Sequence, residues 1–175
     1  MRTRVGYTGG TLKDPTYHNL GDHTETIQID FDPSKVAYAE LLDIFWSCHN
    51  PCARAYSRQY ISAIFTNGEE QRKLAEESKR KQEAARGKIA TEILPAGKFY
   101  VAEDYHQKYY LRGAEELMKE FQSFYPDPAA FRESTAAARV NGYVGGDGSP
   151  DRLKAEIDSL GLSVRGREAL QRHVR

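Results

Sequence analysis

The first residues of the chain have the pattern of a β-strand that runs directly into a glycine-rich turn. Residues 1–5 read as the end of this strand, and the turn follows at Gly6, Gly9 and Gly10. A strand must pair its backbone amide and carbonyl groups, so a chain with this pattern needs further strands in one sheet. We therefore expect earlier elements of the same reading frame, with Met1 as an internal methionine.

Segments typical of strands alternate irregularly with segments typical of helices along the next part of the chain. Polar and apolar alternation favours strands, and apolar residues at helical spacing, such as Tyr38, Phe45 and Trp46, favour helices. The predicted strands are 24–31, 59–65, 89–94 and 98–101, and the predicted helices are 38–46, 69–86 and 102–124, with an interruption near Gly113. Short connections between such elements favour an α+β domain with two layers and a mixed sheet.

The composition changes after Pro126, and this change predicts an added C-terminal region. Residues 142–148 are rich in glycine and predict a flexible loop. Residues 151–173 then predict a pair of helices broken at Gly161. We therefore expect a domain at residues 1–125 and a loop with a helical extension at residues 126–175.

Charge and hydropathy exclude several classes of partner. The 175 residues include 25 basic and 25 acidic side chains, so no net field favours nucleic acid or an anionic membrane. The sequence has neither an apolar run long enough to span a bilayer nor a signal peptide at its start. These features predict a cytoplasmic protein with no nucleic-acid or membrane partner.

The two cysteines, Cys48 and Cys52, are spaced as in some metal or disulfide sites. A zinc site needs two further ligands in a similar cluster, and the sequence offers none, so we expect no metal. Two interpretations remain open for the cysteines. Either both are reduced thiols near a helix end, or one of them has a redox role.

Short motifs in a fixed order carry a resemblance to a known family. They are Gly6-Tyr7-Thr8-Gly9-Gly10, Pro15-Thr16-Tyr17, Thr24-Glu25, Phe45-Trp46, His49-Asn50-Pro51, Gln59-Tyr60, Ser62-Ala63-Ile64 and the run from Phe99 to Gln107. From Val5 to about Tyr110 the chain resembles the peptide methionine sulfoxide reductase A family. The resemblance implies the fold of that family and the activity of a peptide-methionine (S)-S-oxide reductase, an oxidoreductase acting on sulfur.

The resemblance also implies roles for Tyr17, Glu25 and Tyr60, which bind and polarise the sulfoxide oxygen in this family. Reduction needs a thiolate that attacks sulfur and a proton for the oxygen as its negative charge grows. A carboxyl group kept protonated by burial can donate that hydrogen bond, and phenols can add others. Without the resemblance, Glu25 reads as a solvated carboxylate at a strand end and the two tyrosines as ordinary half-buried side chains.

Further expectations follow from the same resemblance. Tyr7, Gly9, Gly10 and His106 are candidates for substrate binding, with a structural hydrogen bond as the other interpretation of His106. The family binds no cofactor and uses an external thiol reductant, such as thioredoxin, glutaredoxin with glutathione, or dithiothreitol. The implied partners are free methionine sulfoxide and proteins that contain it. The resemblance also implies a monomer that repairs proteins under oxidative stress.

The sequence departs from the family pattern at three places. In the family, a Gly-Cys-Phe-Trp segment with the nucleophilic cysteine lies upstream of the segment that begins at Val5. Asn50 replaces the aspartate that the family usually has between a histidine and a proline. Val144 stands where many members have a resolving cysteine. Three hypotheses remain open. The protein is a reductase whose catalytic segment lies upstream of Met1, or a truncated isoform or pseudoenzyme that binds oxidised methionine without reducing it, or an enzyme that uses Cys48 or Cys52 as the nucleophile.

Overall fold

The computed structural model describes residues 1–174, and the chain forms two compact units. Residues 6–27 and 31–102 form the first, which we call the sheet unit. Residues 1–5, 28–30 and 103 onward form the second, the helical unit. Among the described residues, no helix has the length and apolar character needed to cross a membrane.

Within residues 1–174, the strands all lie in the first part of the chain. Its elements are β1 (Arg2–Thr8), β2 (Thr24–Asp30), α1 (Tyr38–Ser47), a 3-10 turn (Arg58–Tyr60), β3 (Ala63–Thr66), α2 (Glu69–Arg86), β4 (Glu92–Pro95) and β5 (Tyr100–Val101). The prediction of α2 is confirmed at both ends, because Gly87 takes the left-handed φ of 84° that ends the helix.

The rest of the chain is helical. Its elements are a 3-10 turn (Asp104–His106), α3 (Tyr109–Gly113), α4 (Glu115–Phe124), α5 (Pro128–Glu133), α6 (Thr135–Val144), α7 (Pro150–Glu156), a 3-10 turn (Ile157–Leu160) and α8 (Val164–His173). The predicted breaks at Gly113 and Gly161 are confirmed, and Gly161 has the left-handed φ of 71°.

The strands pair in both directions, as the sequence predicts for a mixed arrangement. β2, β1 and β5 form one sheet in that order, and β3 pairs parallel with β4. β1 and β5 are antiparallel, with Gly6 opposite Val101 and Tyr7 opposite Tyr100. A Cβ atom at Gly6 would lie 2.2 Å from the Tyr100 carbonyl oxygen, so this close approach requires glycine. The α+β fold class is confirmed.

The core of the sheet unit forms where α1 and α2 cover β3 and β4. Trp46 is its largest side chain and is 2% exposed, and its indole Nε1 donates to Ser78 Oγ at 3.0 Å. This bond satisfies the polar end of a buried indole, which would otherwise cost stability. The other buried members of the cluster are Leu42, Ile64, Ala75 and Ile89.

The helical unit has its own apolar core, and its helix starts are fixed locally. At the start of each of the last four helices, one side chain accepts hydrogen bonds from backbone N–H groups of the first turn. These residues are Asp127 for α5, Ser134 for α6, Ser149 for α7 and Ser163 for α8. Such caps satisfy donors that the helix itself leaves unpaired. The buried core residues include Leu117, Phe121, Phe131, Val140, Leu153, Ile157, Leu160, Leu162 and Leu170.

The prediction of one helix over residues 102–124 is wrong at its start, because α-helix begins only at Tyr109. The cause is a contact that local sequence does not reveal. The buried Gln107 side chain donates from Nε2 to the Val5 carbonyl oxygen at 2.9 Å and accepts from the Val5 N–H at 3.0 Å. Lys108 then takes the left-handed φ of 54° that redirects the chain into α3.

Further predictions of element bounds need correction. The strands predicted at residues 89–94 and 98–101 begin only at Glu92 and Tyr100. Two more segments differ from the prediction, residues 142–148 and residues 59–65. The predicted loop at residues 142–148 is helical as far as Val144, because Tyr143 is 4% exposed and donates to the Glu156 carboxylate at 2.6 Å. The predicted strand at residues 59–65 begins only at Ala63 and follows the 3-10 turn at Arg58–Tyr60. Tertiary contacts override the local pattern in both segments.

Truncation of Leu170 to alanine is expected to destabilise the helical unit. Leu170 on α8 is fully buried, so Leu170→Ala leaves a cavity that costs about 3 kcal/mol of unfolding free energy. Val164 on the same helix is 75% exposed, and Val164→Ala is the matched control with little effect. Urea unfolding followed by circular dichroism measures both, and equal effects of the two substitutions would contradict this packing.

The buried Lys108 is expected to make stability depend on pH in the alkaline range. It is 6% exposed, donates to the Thr3 carbonyl oxygen at 2.5 Å, and its pKa is lowered to about 8 because burial disfavours the charge. In the unfolded chain the pKa of Lys108 returns to 10.5. At a pH between about 8 and 10.5, Lys108 therefore takes up a proton when the chain unfolds. The free energy of unfolding therefore rises as pH increases from about 8 to about 10, by at most about 3 kcal/mol.

Urea unfolding at several pH values measures this rise. It is expected to disappear in Lys108→Met and to persist in Lys154→Met, which removes an exposed lysine of the same unit. A rise of equal size in wild type and Lys108→Met would show that another group causes it.

Candidate functional site

Glu25 lies at the start of β2, where a neighbouring buried threonine fixes the local geometry. The Thr24 hydroxyl donates to the Arg58 carbonyl oxygen at 3.0 Å. Thr24 is 2% exposed, so this bond is shielded from water and ties the 3-10 turn at Arg58–Tyr60 to the beginning of β2. The Glu25 side chain next to it is exposed and lies beside that turn.

Gln59 connects two of the predicted site residues. Its side-chain Nε2 lies 2.6 Å from Glu25 Oε1 and 3.0 Å from Tyr60 Oη. An amide nitrogen has two hydrogens and accepts none, so Gln59 donates to both oxygens. The structure thus brings Glu25 and Tyr60 together through an amide for which the sequence motifs predict no role.

Tyr17 joins the cluster through Tyr60. The two phenol groups are hydrogen-bonded, and this bond, followed by burial and the Glu25 charge, raises the pKa of Tyr60 to about 12. Tyr60 therefore stays a neutral phenol at physiological pH and can donate. The ring of Tyr56, which is 87% exposed, lies with its centroid 5.3 Å from that of Tyr60.

The glycine-rich loop after β1 needs its glycines for close packing. A Cβ atom at Gly9, which has a φ of 82°, would lie 2.7 Å from the Phe65 ring. A Cβ atom at Gly10 would lie 2.6 Å from Asp22 Oδ1. The Gly10 N–H donates to Nδ1 of His23, whose Nε2 donates in turn to the Leu12 carbonyl oxygen at 2.8 Å. His23 is 1% exposed, so the loop closes over this imidazole.

Asp22 holds the same loop from outside. Its carboxylate accepts from the backbone N–H of Thr11 at 2.8 Å, from the Thr11 hydroxyl at 3.0 Å and from the Leu12 N–H at 3.3 Å. Hydrogen bonds to the charged form favour that form, so they lower the pKa of Asp22 to about 2. The carboxylate stays ionised and the loop stays anchored across the physiological range.

The remaining candidates for substrate binding lie elsewhere in the chain. Tyr7 is on β1 in the sheet unit and is 2% exposed, opposite Tyr100 in the antiparallel pair. His106 lies in the helical unit, on the 3-10 turn that follows Ala102, with its ring centroid 4.2 Å from that of Tyr105 and its Nε2 3.9 Å from Glu103. Their roles in substrate binding stay predictions.

Cys48 and Cys52 are free and exposed thiols. The backbone N–H of Cys48 caps the end of α1, and Cys52 Sγ lies 3.9 Å from the Arg86 carbonyl oxygen. Both nitrogens of the intervening His49 are already used, one with the Phe45 carbonyl oxygen at 2.8 Å and the other with Ser62 Oγ at 2.7 Å. This imidazole therefore serves to join α1 to the start of β3. The sequence did not predict that role.

The site offers hydrogen-bonding groups for a small polar ligand. Within residues 1–174, no group of three or more His, Cys, Asp or Glu side chains could hold a metal ion. Fold and site together define an α+β protein with an exposed carboxyl group, an amide and two phenols in one cluster. Such groups can form hydrogen bonds with a polar oxygen atom of a ligand.

Comparisons with known proteins identify the family. A family model described as peptide methionine sulfoxide reductase matches residues 1–147, and one described as selenoprotein methionine sulfoxide reductase A, helical domain, matches residues 129–172. The chain belongs to the peptide methionine sulfoxide reductase family, a family of oxidoreductases. The helical C-terminal region predicted from the sequence thus corresponds to a helical domain known in this family.

Individual relatives agree with this assignment. The chain is 40% identical to the peptide methionine sulfoxide reductase of Drosophila melanogaster, over 99% of this chain and 71% of the relative. It is 38% identical to peptide methionine sulfoxide reductase A5 of rice (Oryza sativa subsp. japonica), over 91% of this chain and 66% of the relative. It therefore spans about two thirds of the length of these relatives.

Solved structures resemble about two thirds of this chain in fold. The match to methionine sulfoxide reductase A of Corynebacterium diphtheriae has a TM-score of 0.54 and 36% identity, over 65% of this chain and 64% of that one. The match to reduced Mxr1 from Saccharomyces cerevisiae has a TM-score of 0.59 and 28% identity, over 63% of this chain and 70% of that one.

Removal of the Asp22 charge is expected to weaken the glycine-rich loop in a pH-dependent way. Because the folded pKa is below the ordinary 3.8, the charge stabilises the folded state above that value, and this stabilisation is lost as pH falls toward about 2. Asp22→Asn should therefore unfold at a lower urea concentration than wild type at pH 7, with a difference that shrinks between pH 4 and pH 2. Asp43→Asn, on the exposed side of α1, is the control. A difference that does not change with pH would contradict the role of the charge.

Proposed function

We propose that this protein is a peptide-methionine (S)-S-oxide reductase in which Tyr17, Glu25 and Tyr60 bind and protonate the sulfoxide oxygen. One observation carries the proposal. In a chain of this family, the carboxyl group of Glu25, the amide of Gln59 and the hydroxyls of Tyr60 and Tyr17 form one hydrogen-bonded series. Groups arranged in advance around a developing negative charge stabilise a transition state more than they stabilise the substrate.

The proposed reaction begins when a thiolate attacks the sulfoxide sulfur. The sulfur–oxygen bond breaks, the oxygen transfers to the attacking sulfur with a proton, and the products are methionine and a cysteine sulfenic acid. Glu25 and the tyrosine hydroxyls supply hydrogen bonds to the oxygen as its negative charge grows. By resemblance to the family, the attacking thiolate belongs to a Gly-Cys-Phe-Trp segment that precedes Val5.

An external thiol completes the proposed cycle. One thiol condenses with the sulfenic acid to form a mixed disulfide and water, and a second thiol releases the enzyme by exchange. We propose a thioredoxin-like protein as the physiological reductant, with glutaredoxin and glutathione or dithiothreitol as substitutes. Val144 is the last residue of α6 and packs partly buried against the helical core, which supports an external thiol in place of a resolving cysteine at this position.

The exposure of the site supports a range of substrates. Glu25 and Tyr60 are both exposed, which leaves room for a methionine sulfoxide side chain on the surface of another protein as well as for the free amino acid. We propose repair of oxidised proteins in the cytoplasm by a monomer as the biological role. Tyr7, Gly9, Gly10 and His106 remain proposed substrate-binding residues on the basis of the family motifs.

A turnover assay tests the proposed function. The protein expressed from its complete reading frame should reduce a peptide that contains methionine-S-sulfoxide, with dithiothreitol as reductant, and should leave the R epimer unchanged. Glu25→Ala and Tyr17→Phe should each lower kcat/KM by about 100-fold, since each removes a donor to the oxygen. Chromatography of the reduced and oxidised peptide measures the conversion.

Matched variants control for general effects on folding. Glu77→Ala on α2 and Tyr109→Phe on α3 change exposed residues of the same types and should retain wild-type turnover. A complete protein that binds the peptide in calorimetry but never reduces it would contradict the proposed reductase. Retained activity in Glu25→Ala would contradict the assigned role of that carboxyl group.

A further inference from the structure

Gln59 occupies the centre of the hydrogen-bonded series described above. Its side chain is partly buried, whereas those of Glu25 and Tyr60, to which it donates, are exposed. The 3-10 turn at Arg58–Tyr60 fixes its backbone, and the bond between the Thr24 hydroxyl and the Arg58 carbonyl oxygen fixes that turn. The amide is therefore held in place from the protein side.

The contact with Glu25 determines which carboxyl oxygen can carry a proton. The Gln59 amide N–H donates to Oε1 at 2.6 Å, so this oxygen is the acceptor of the bond. With Oε1 occupied by this donor, a proton taken up by Glu25 is placed on Oε2, and Oε2 is the oxygen that can donate to a ligand.

The contact between Gln59 and Tyr60 determines which of the two groups donates a hydrogen bond. The second hydrogen of the Gln59 amide points to Tyr60 Oη at 3.0 Å. Tyr60 Oη is therefore the acceptor of this bond, so the hydroxyl hydrogen of Tyr60 is the one that it can donate.

We propose that Gln59 is a positioning residue that directs the donating hydrogens of Glu25 and Tyr60 toward the sulfoxide oxygen. This inference rests on the proposed reductase function and gives it an atomic arrangement. Gln59 itself acts through its two neighbours. One N–H of the Gln59 amide binds Glu25 and the other binds Tyr60, so the loss of Gln59 disturbs both side chains together.

Steady-state kinetics of the complete protein test this role. Gln59→Leu, which keeps the approximate volume and removes both donors, should lower kcat by about 10-fold to 100-fold with a much smaller change in KM. The same substitution in a Glu25→Ala, Tyr60→Phe background should cost no further factor beyond about 2-fold, because the groups through which Gln59 acts are gone. Gln122→Leu, on the exposed face of α4, is the matched control and should keep wild-type kinetics.

A spectroscopic measurement separates the two proposals. The side-chain amide signals of Gln59 in a nitrogen–proton correlation spectrum should shift in Glu25→Ala and in Tyr60→Phe, and those of Gln122 should not. A wild-type protein that does not reduce the sulfoxide defeats the proposed function. If the wild-type protein reduces the sulfoxide, unshifted amide signals of Gln59 in the two variants overturn the positioning role. The role is also overturned if Gln59→Leu lowers kcat in the Glu25→Ala, Tyr60→Phe background as much as it does in the wild type.

Discussion

The candidate site depends on one buried hydrogen bond between segments that are far apart in the sequence. The Thr24 hydroxyl donates to the Arg58 carbonyl oxygen across 34 positions of the chain, and Thr24 is almost fully shielded from water. Because the partner is a backbone carbonyl, the bond fixes the main chain of the turn rather than a single side chain. Glu25 follows the donor and Gln59 follows the acceptor, so this anchor sets the distance between their side chains.

Around this anchor the sheet unit uses several polar contacts to hold irregular segments in place. His23 closes the glycine-rich loop from inside and Asp22 closes it from outside, while His49 joins the end of α1 to Ser62. Each of these contacts satisfies groups that regular secondary structure leaves unpaired. The functional groups thus belong to loops and turns that polar side chains make rigid, next to strands that are only a few residues long.

The sequence predicts those parts of the fold whose patterns are local. Helices α1 and α2 follow from apolar or charged periodicity, and glycine marks the break at Gly161 because that position needs a left-handed φ. Prediction failed where a distant contact decides, as at residues 102–108, where the Gln107 amide binds the backbone of Val5. The site follows the same rule. Family motifs indicated Glu25 and its tyrosines, but the role of Gln59 arises only when two remote segments meet.

The register of the three-stranded sheet has a consequence for the order of events in folding. β1 lies between β2 and β5, and its antiparallel partner residues, Tyr100 and Val101, come at the end of the sheet unit. Contacts of such wide sequence separation form slowly because a long loop must close first. On the ribosome, one side of β1 therefore waits without a partner until β5 has been synthesised, and during that interval the nascent chain is most vulnerable to aggregation.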